Sequence, residues 1–289
     1  MRKGGGVRIH PTAIVDPTAD LAAGVEIGPY CVIGPNVRIG EGTRLASHAV
    51  IEPYTTIGRH SQISHGAVLG GVPQDTKFRG ERSHLIIGDR NIIREFVTIH
   101  RATGEDTATR IGDDNMIMAY CHIGHNCLLG SRILMANQMG MSGHCEVEDQ
   151  VVFGGQVGIH QFVRIGKLAM IGGVSKVVQD VPPFMVVDGR PAGVININVI
   201  GLRRAGIPPR VRSELRQAFR LLYRSNLNLA QGIEAVCNEV EWSAERDYLL
   251  EFLSKLRRGF AGRQRDPNRP RGRERDLYLD GRPSPNGEL

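Results

Sequence analysis

Aromatic residues are scarce in this chain, 5% of 289 residues with the single tryptophan Trp242, while glycine reaches 36 residues. An aromatic-poor, glycine-rich chain with many Ile and Val points to closely spaced, turn-rich strands rather than ordinary helices. No run of about 18 apolar residues exists, which argues against a transmembrane helix or stable membrane insertion. The start, Met1-Arg2-Lys3-Gly4-Gly5-Gly6, has no apolar stretch after its charges, so no secretory signal is expected and the expected location is cytoplasmic. The five cysteines, Cys31, Cys121, Cys127, Cys145 and Cys237, are odd in number and form no C-x-x-C pair. That argues against a disulfide framework or a thiolate zinc site. The net charge is only +6, and the tail from Gly259 holds seven arginines against five acids. A nucleic-acid partner is not expected from so weak an excess; a protein handling anionic metabolites is compatible with it.

What is present is a six-residue rhythm. From Ile9 to Val177 every sixth residue is a large apolar one at 26 of 29 positions; only Asp75, Glu81 and Glu105 break the series. A period of six fits neither a lone amphipathic helix nor an alternating strand. It fits a hexapeptide β-helix, in which three short strands and three turns make one triangular coil of about 18 residues. Successive coils then stack in parallel at about 4.8 Å. A second inward set lies two residues earlier and includes Cys31, Cys121, Cys127 and Cys145, so these four read as small core residues. Glycine often follows the aliphatic, as in Ile27-Gly28 and Ile123-Gly124, where it relieves corner sterics.

The breaks near 71–84 and 102–110 should project as loops, which on a rigid scaffold are frequent sites of function. Val181-Pro182-Pro183 is expected to end the ladder, because proline cannot donate to it. The expected organisation is a β-helix with its linker over 1–207, a C-terminal helical domain over 208–258, and a disordered Arg-rich tail over 259–289. Three helices are expected in the second part. Their apolar faces run Val211-Leu215-Phe219-Leu222-Tyr223, Leu229-Ile233-Val236-Val240 and Tyr248-Leu249-Phe252-Leu256, and they can cap the solenoid's end.

The histidines read against this repeat. Ile123 points inward, so His122 points out, and His125 sits near the corner. Eighteen residues move one coil along the same side. His125 then lies over Gly143 and Asn126 over His144, and one coil further Gly124 and Ser142 align with His160. His122, His125, Gly143, His144 and His160 should share one patch, with His100 arriving from the coil before. Two chemistries use such a cluster. One is general base catalysis by a neutral imidazole. The other is a zinc ion held by three histidines with one open position.

The residues Gly71-Val72-Pro73-Gln74-Asp75-Thr76-Lys77-Phe78, Val97-Thr98-Ile99-His100-Arg101, His122-Ile123-Gly124-His125, Ser142-Gly143-His144, Ile159-His160-Gln161-Phe162, Ile171-Gly172-Gly173 and Gln179-Asp180-Val181-Pro182-Pro183 carry a resemblance. Over residues 8–258 the chain resembles the UDP-N-acetylglucosamine O-acyltransferases that begin lipid A biosynthesis. The resemblance implies an all-β left-handed parallel β-helix and a homotrimer with sites between subunits. It implies transfer of a 3-hydroxyacyl group from the phosphopantetheine of acyl carrier protein to the sugar 3-hydroxyl, with no resident cofactor and no metal. His125 matches the family's general base and Gly143 its oxyanion donor. Gln74, Asp75 and Lys77 match loop residues that hold the acyl chain's polar groups and the sugar. His100, His122, His144, His160 and Gln161 match substrate-positioning residues. Gly173 matches the position that limits acyl length, and Asn198 and Arg204 match contacts to the nucleotide.

Three positions depart from the family pattern. Asn126 stands where an aspartate usually orients the base; it can accept from the imidazole but cannot stabilise an imidazolium by charge. Ile200 replaces an acid near the nucleotide, and Ala205 a second basic residue beside Arg204. These departures leave open a non-catalytic homologue that binds nucleotide sugar or acyl carrier protein. The histidines alone leave open a zinc carbonic anhydrase on the same scaffold.

Overall fold

The structure is a computed structural model and describes residues 6–257. Short strands, most of two residues, stack into three sheets of eleven, nine and eight strands, one per side of a triangular prism and parallel except for the last strand of the eleven-stranded sheet. The 18-residue coil is visible in the pairing: Arg8 lies beside Glu26, Ile14 beside Val32 and Asp20 beside Arg38. Across the first break the step lengthens, so that Ile57 pairs with Ile87 and Ile63 with Ile93. Across the second, Ile93 pairs with Ile117 and Thr98 with His122. The insertions add twelve and six residues, whole multiples of the repeat, and the rungs stay aligned. The loops run over 72–83 and 101–107; His84 and Ala108 already begin strands.

One core runs the length of the prism, from Val25 and Ile27 to Val177 and Val187. Ile33, Ile51, Ile99, Ile123 and Phe153 are fully buried rungs. Cys31, Cys121, Cys127 and Cys145 are buried with them as expected, while Cys237 is exposed. On one side of the core four polar residues follow one another and bond from coil to coil. Ser61 N donates to Thr43 Oγ1, Asn91 N to Ser61 Oγ, Asn115 N to Asn91 Oδ1 and Ile133 N to Asn115 Oδ1. Each buried side chain is thereby satisfied by the next coil.

Corner geometry differs from the expectation in one respect. The residue three places after most of the aliphatics takes the left-handed conformation, and it is usually not glycine: Tyr30, Asn36, His48, Tyr120, Asn126, His144 and Val174 all have φ near +60°. The glycine directly after the aliphatic is required by close approach instead. A Cβ at Gly112 would lie 2.6 Å from Gly130 O, and one at Gly40 2.6 Å from Gly58 C.

The ladder also continues beyond Pro182-Pro183, contrary to expectation. Val181 N still donates to Arg164 O, the prolines occupy the turn over Gly166, and Met185–Gly189 rejoins the eleven-stranded sheet beside Met170–Ile171. Ala192–Ile197 then pairs antiparallel on its far side. The segment before Pro208 is therefore structured. It also holds a helix, α1 (Val199–Arg204), capped by Asn198, in addition to the three expected after Pro208. The others are α2 (Pro209–Tyr223), α3 (Leu229–Glu239) and α4 (Ala244–Arg257). Their core, with Val211, Leu215, Phe219, Leu222, Val236, Leu249 and Phe252, meets Leu168, Phe184 and Met185 of the last coils. Arg164 lies over the Phe252 ring at 4.5 Å, and Tyr248 Oη donates to Glu148 at 2.7 Å. No helix among the described residues is long and apolar enough to cross a membrane. The tail over 259–289 lies outside the described residues.

Gly112→Ala should lower unfolding stability by about 1–3 kcal/mol, because backbone must move to admit the methyl group. Gly193→Ala, which meets nothing within 4 Å, is the control. Denaturant midpoints for the two variants check this, and equal shifts would refute the close-approach explanation.

Candidate active site

Both loops leave the prism at the corner between the nine- and eight-stranded sheets. They are bonded to each other: Arg82 pairs with Asp106 at 2.7 Å, Asp106 N donates to Arg82 O and Ser83 Oγ donates to Ala102 O. Below them on the same corner opens a cleft of about 590 Å³ whose lining includes Gln74, His100, His122, His125, Gly143 and His160. Gln161 lines it as well.

His125 and Gly143 stand on successive coils. A Cβ at Gly143 would fall 2.7 Å from both Cε1 and Nε2 of His125, so only the absence of a side chain lets the ring lie there. Gly143 occupies the second position after the aliphatic Met141. At this turn position the backbone N–H has no place in the ladder, and the first coils fill it with Pro11, Pro17, Pro29, Pro35 and Pro53. At Gly143 the donor is present, makes no hydrogen bond within the described chain and borders the cleft.

The tautomer of His125 follows from its neighbours. Asn126 Oδ1 accepts from Thr103 N and Thr103 Oγ1, both at 2.9 Å, and Asn126 Nδ2 donates to Thr103 O at 3.0 Å. The amide is therefore fixed with its oxygen toward His125 Nδ1, 2.9 Å away. Nδ1 carries the proton, and Nε2, beside Gly143, holds the lone pair. An aspartate at this position would set an oxygen against Thr103 O.

The other histidines are packed in pairs. The His100 and His122 rings meet edge to face at 4.8 Å, and His125 and His144 at 5.1 Å. His144 lies at the rim, stacked on Phe162. His160 Nδ1 donates to Gln161 O at 3.1 Å, which leaves its Nε2 as an acceptor. His100 is 8% exposed and its buried Nδ1 has no partner. Burial, helped by His122 and His125, pushes its pKa down to about 4, so the ring is neutral at pH 7. Burial also lowers His122, with His125 adding to the effect. Among the described residues no three His, Cys, Asp or Glu side chains are grouped to hold a metal ion.

The remaining sequence candidates lie outside this lining. Asp75 Oδ1 accepts from Lys77 N within the first loop, and Lys77 is exposed. Gly173 is exposed on a later coil, with Gly155 O 3.4 Å from where its Cβ would be. Asn198 is buried as the cap of α1, bonded to Gly201 N and Leu168 O, and Arg204 is exposed at that helix's end. Ile200 and Ala205 are exposed beside it. Sequence reasoning missed Lys176, Gly140 and Gly158 in the lining, and Thr103 behind Asn126. Counting in eighteens from His122 would have found three of them.

A family model described as Udp N-acetylglucosamine O-acyltransferase, domain 2, matches residues 180–261, and one described as bacterial transferase hexapeptide (six repeats) matches 6–40. The acyl-(acyl-carrier-protein)–UDP-N-acetylglucosamine O-acyltransferase of Burkholderia mallei (strain SAVP1) is 54% identical over 257 residues, 87% of this chain and 98% of its own length. The chain belongs to the UDP-N-acetylglucosamine O-acyltransferase family. Solved structures agree. The Moraxella catarrhalis RH4 member has a TM-score of 0.81 at 40% identity, covering 86% of this chain and 96% of its own. The Francisella novicida member has 0.81 at 36%, covering 90% and 95%. The prism is accordingly the left-handed β-helix of that family.

The buried neutral His100 has a consequence for stability. Its folded pKa is depressed from 6.5 to about 4, so the unfolded chain binds the extra proton and stability falls as pH drops from about 6.5 through about 4. Between pH 7 and pH 5 the loss from this group should be about 2 kcal/mol. Equilibrium denaturation should show that loss in the native sequence and a smaller one in His100→Gln; equal losses would assign the slope to other groups.

Proposed function

We propose that this family member moves a (3R)-3-hydroxyacyl group from acyl carrier protein to the 3-hydroxyl of UDP-N-acetylglucosamine, the first step of lipid A biosynthesis. The reading rests on one observation: the lone-pair nitrogen of His125 lies against an unbonded glycine amide in a cleft. His125 Nε2 takes the proton of the sugar 3-hydroxyl as that oxygen attacks the thioester carbonyl. The C–O bond forms and the carbonyl oxygen gains charge, which the Gly143 N–H meets; such a donor contributes about 3 kcal/mol. Collapse breaks the C–S bond, and the proton held on His125 passes to the departing sulfur of phosphopantetheine. No resident cofactor is needed, since the donor carries its own.

Gln74, His100, His122, His160 and Gln161 orient the two substrates, with Asp75, Lys77 and His144 at the rim. Asn126 holds the base. Asn198, Arg204 and Gly173 lie away from this cleft and serve as nucleotide and acyl-end contacts in a homotrimer. An apolar row on the outer face of the eleven-stranded sheet, Ile92, Met116, Leu134, Val152 and Met170, supports such an assembly, as do the exposed Phe96 and Tyr120 on a neighbouring corner. The location proposed for the reaction is the cytoplasm.

Steady-state transfer from 3-hydroxyacyl carrier protein to UDP-N-acetylglucosamine tests the reading. His125→Ala should lower kcat by about 10²–10⁴; a rate equal to the unmodified protein's would remove His125 as the base. Binding of both substrates without turnover by the unmodified protein would instead make it a non-catalytic homologue. Asn126→Ala frees the ring and its tautomer, so kcat should drop about ten- to a hundred-fold with KM unchanged, a milder loss than that from an orienting carboxylate. A change confined to KM would count against the positioning role.

A further inference from the structure

Outward-facing residues on the nine-stranded sheet align in one row through the cleft. His122 pairs with Gly140, Gly140 with Gly158, and Gly158 with Lys176. A Cβ at Gly140 or at Gly158 would meet nothing within 4 Å. Two consecutive coils therefore leave a bare floor between the histidines and Lys176. The row spans three coil steps, about 14 Å. Val177 and Val178 follow Lys176 at the far end, and His160 and Gln161 border the floor. No aspartate, glutamate or arginine lines the cleft, and Lys176 supplies its one ammonium group among the described residues. Lys176 is exposed and has no ion pair among them.

We propose that Lys176 recognises the phosphodiester at the far end of the acyl donor's phosphopantetheine arm, an inference that rests on the transferase reading above. The donor arm is slim, linear and amide-bearing, and its charge sits at the end opposite the thioester. The trench has the same order. It begins at the His125–Gly143 pair, runs over a floor without side chains past the polar groups of His160 and Gln161, and ends at a cation. An acyl chain would gain nothing by ending at an ammonium group, whose desolvation costs free energy. A sugar nucleotide carries its diphosphate close to the sugar and a bulky base beyond, an order that does not match a cation at the far end. Lysine suits a phosphodiester as a mobile point charge on a long stem.

The test compares two donors that differ only in the phosphate, 3-hydroxyacyl-phosphopantetheine and 3-hydroxyacyl-pantetheine. Lys176→Met should raise KM for the phosphorylated donor about ten-fold. It should leave kcat and the KM for UDP-N-acetylglucosamine unchanged, and Lys176→Arg should recover most of the loss. With the unphosphorylated donor, Lys176→Met and the unmodified protein should coincide. Equal losses with both donors, or a raised KM for the sugar nucleotide alone, would overturn the assignment. Should the unmodified protein transfer no acyl group, the transferase reading fails by itself. Calorimetric binding of the same two donors to the unmodified and Lys176→Met proteins then still decides whether Lys176 reads the phosphate. Lys176 packs outside the core, so these variants retain the fold.

Discussion

Parallel pairing between coils fixes the whole molecule. Once eighteen residues return the chain to the same side at about 4.8 Å higher, every outward side chain has a defined neighbour above and below. The cleft is a direct product of that constraint. His125 lies over Gly143 because they are eighteen residues apart, and the floor under the proposed donor is bare because positions 140 and 158 share one column. No flexible segment is needed to bring the base to the amide. Both sit on turns whose backbone is held by the ladder, which is the kind of support that preorganised donors require.

The two insertions respect the same constraint. Each adds a multiple of six residues, so the rungs Ile57–Ile87 and Ile93–Ile117 close as though nothing intervened. What the insertions contribute is polar. The first brings Gln74 to the cleft, and the second brings Thr103 behind Asn126. The orientation of the base is thus set by a loop, while its position is set by the solenoid. Asparagine and loop fit each other: Thr103 N–H and O meet Asn126 Oδ1 and Nδ2 respectively. The asparagine at position 126 is therefore held by the second loop on both of its amide atoms.

Much of this was legible in the sequence, because a strict period converts residue number into position. The rungs, the buried cysteines, the two loops and the stacking of His125 on Gly143 all followed from counting in sixes and eighteens. Where the period stops, legibility stops. The antiparallel strand Ala192–Ile197 and α1, six residues long, carry too few positions to show a rhythm, and Pro182-Pro183 reads as a stop although the chain only turns there. Thr103 was invisible for a related reason: residues in the insertion have no register, so only the fold discloses what they touch. The reason for the glycines after each aliphatic was also hidden, since strand approach and backbone φ leave the same mark in a sequence.

A strictly periodic ladder carries a hazard of its own. Slippage by one coil would keep every aliphatic inside and every turn in a permitted shape, so hydrophobic burial discriminates poorly between native and shifted registry. The buried column Thr43–Ser61–Asn91–Asn115 breaks that degeneracy. It occupies consecutive levels of one side, each member bonds to the backbone of the adjoining coil, and a shifted pairing would set its end members against the apolar Val25 or Ile133 levels of the same side, which carry no polar side chain to answer them. A few polar side chains thereby act as an index mark on an otherwise uniform scale, and they tell the folding chain which coil belongs on which.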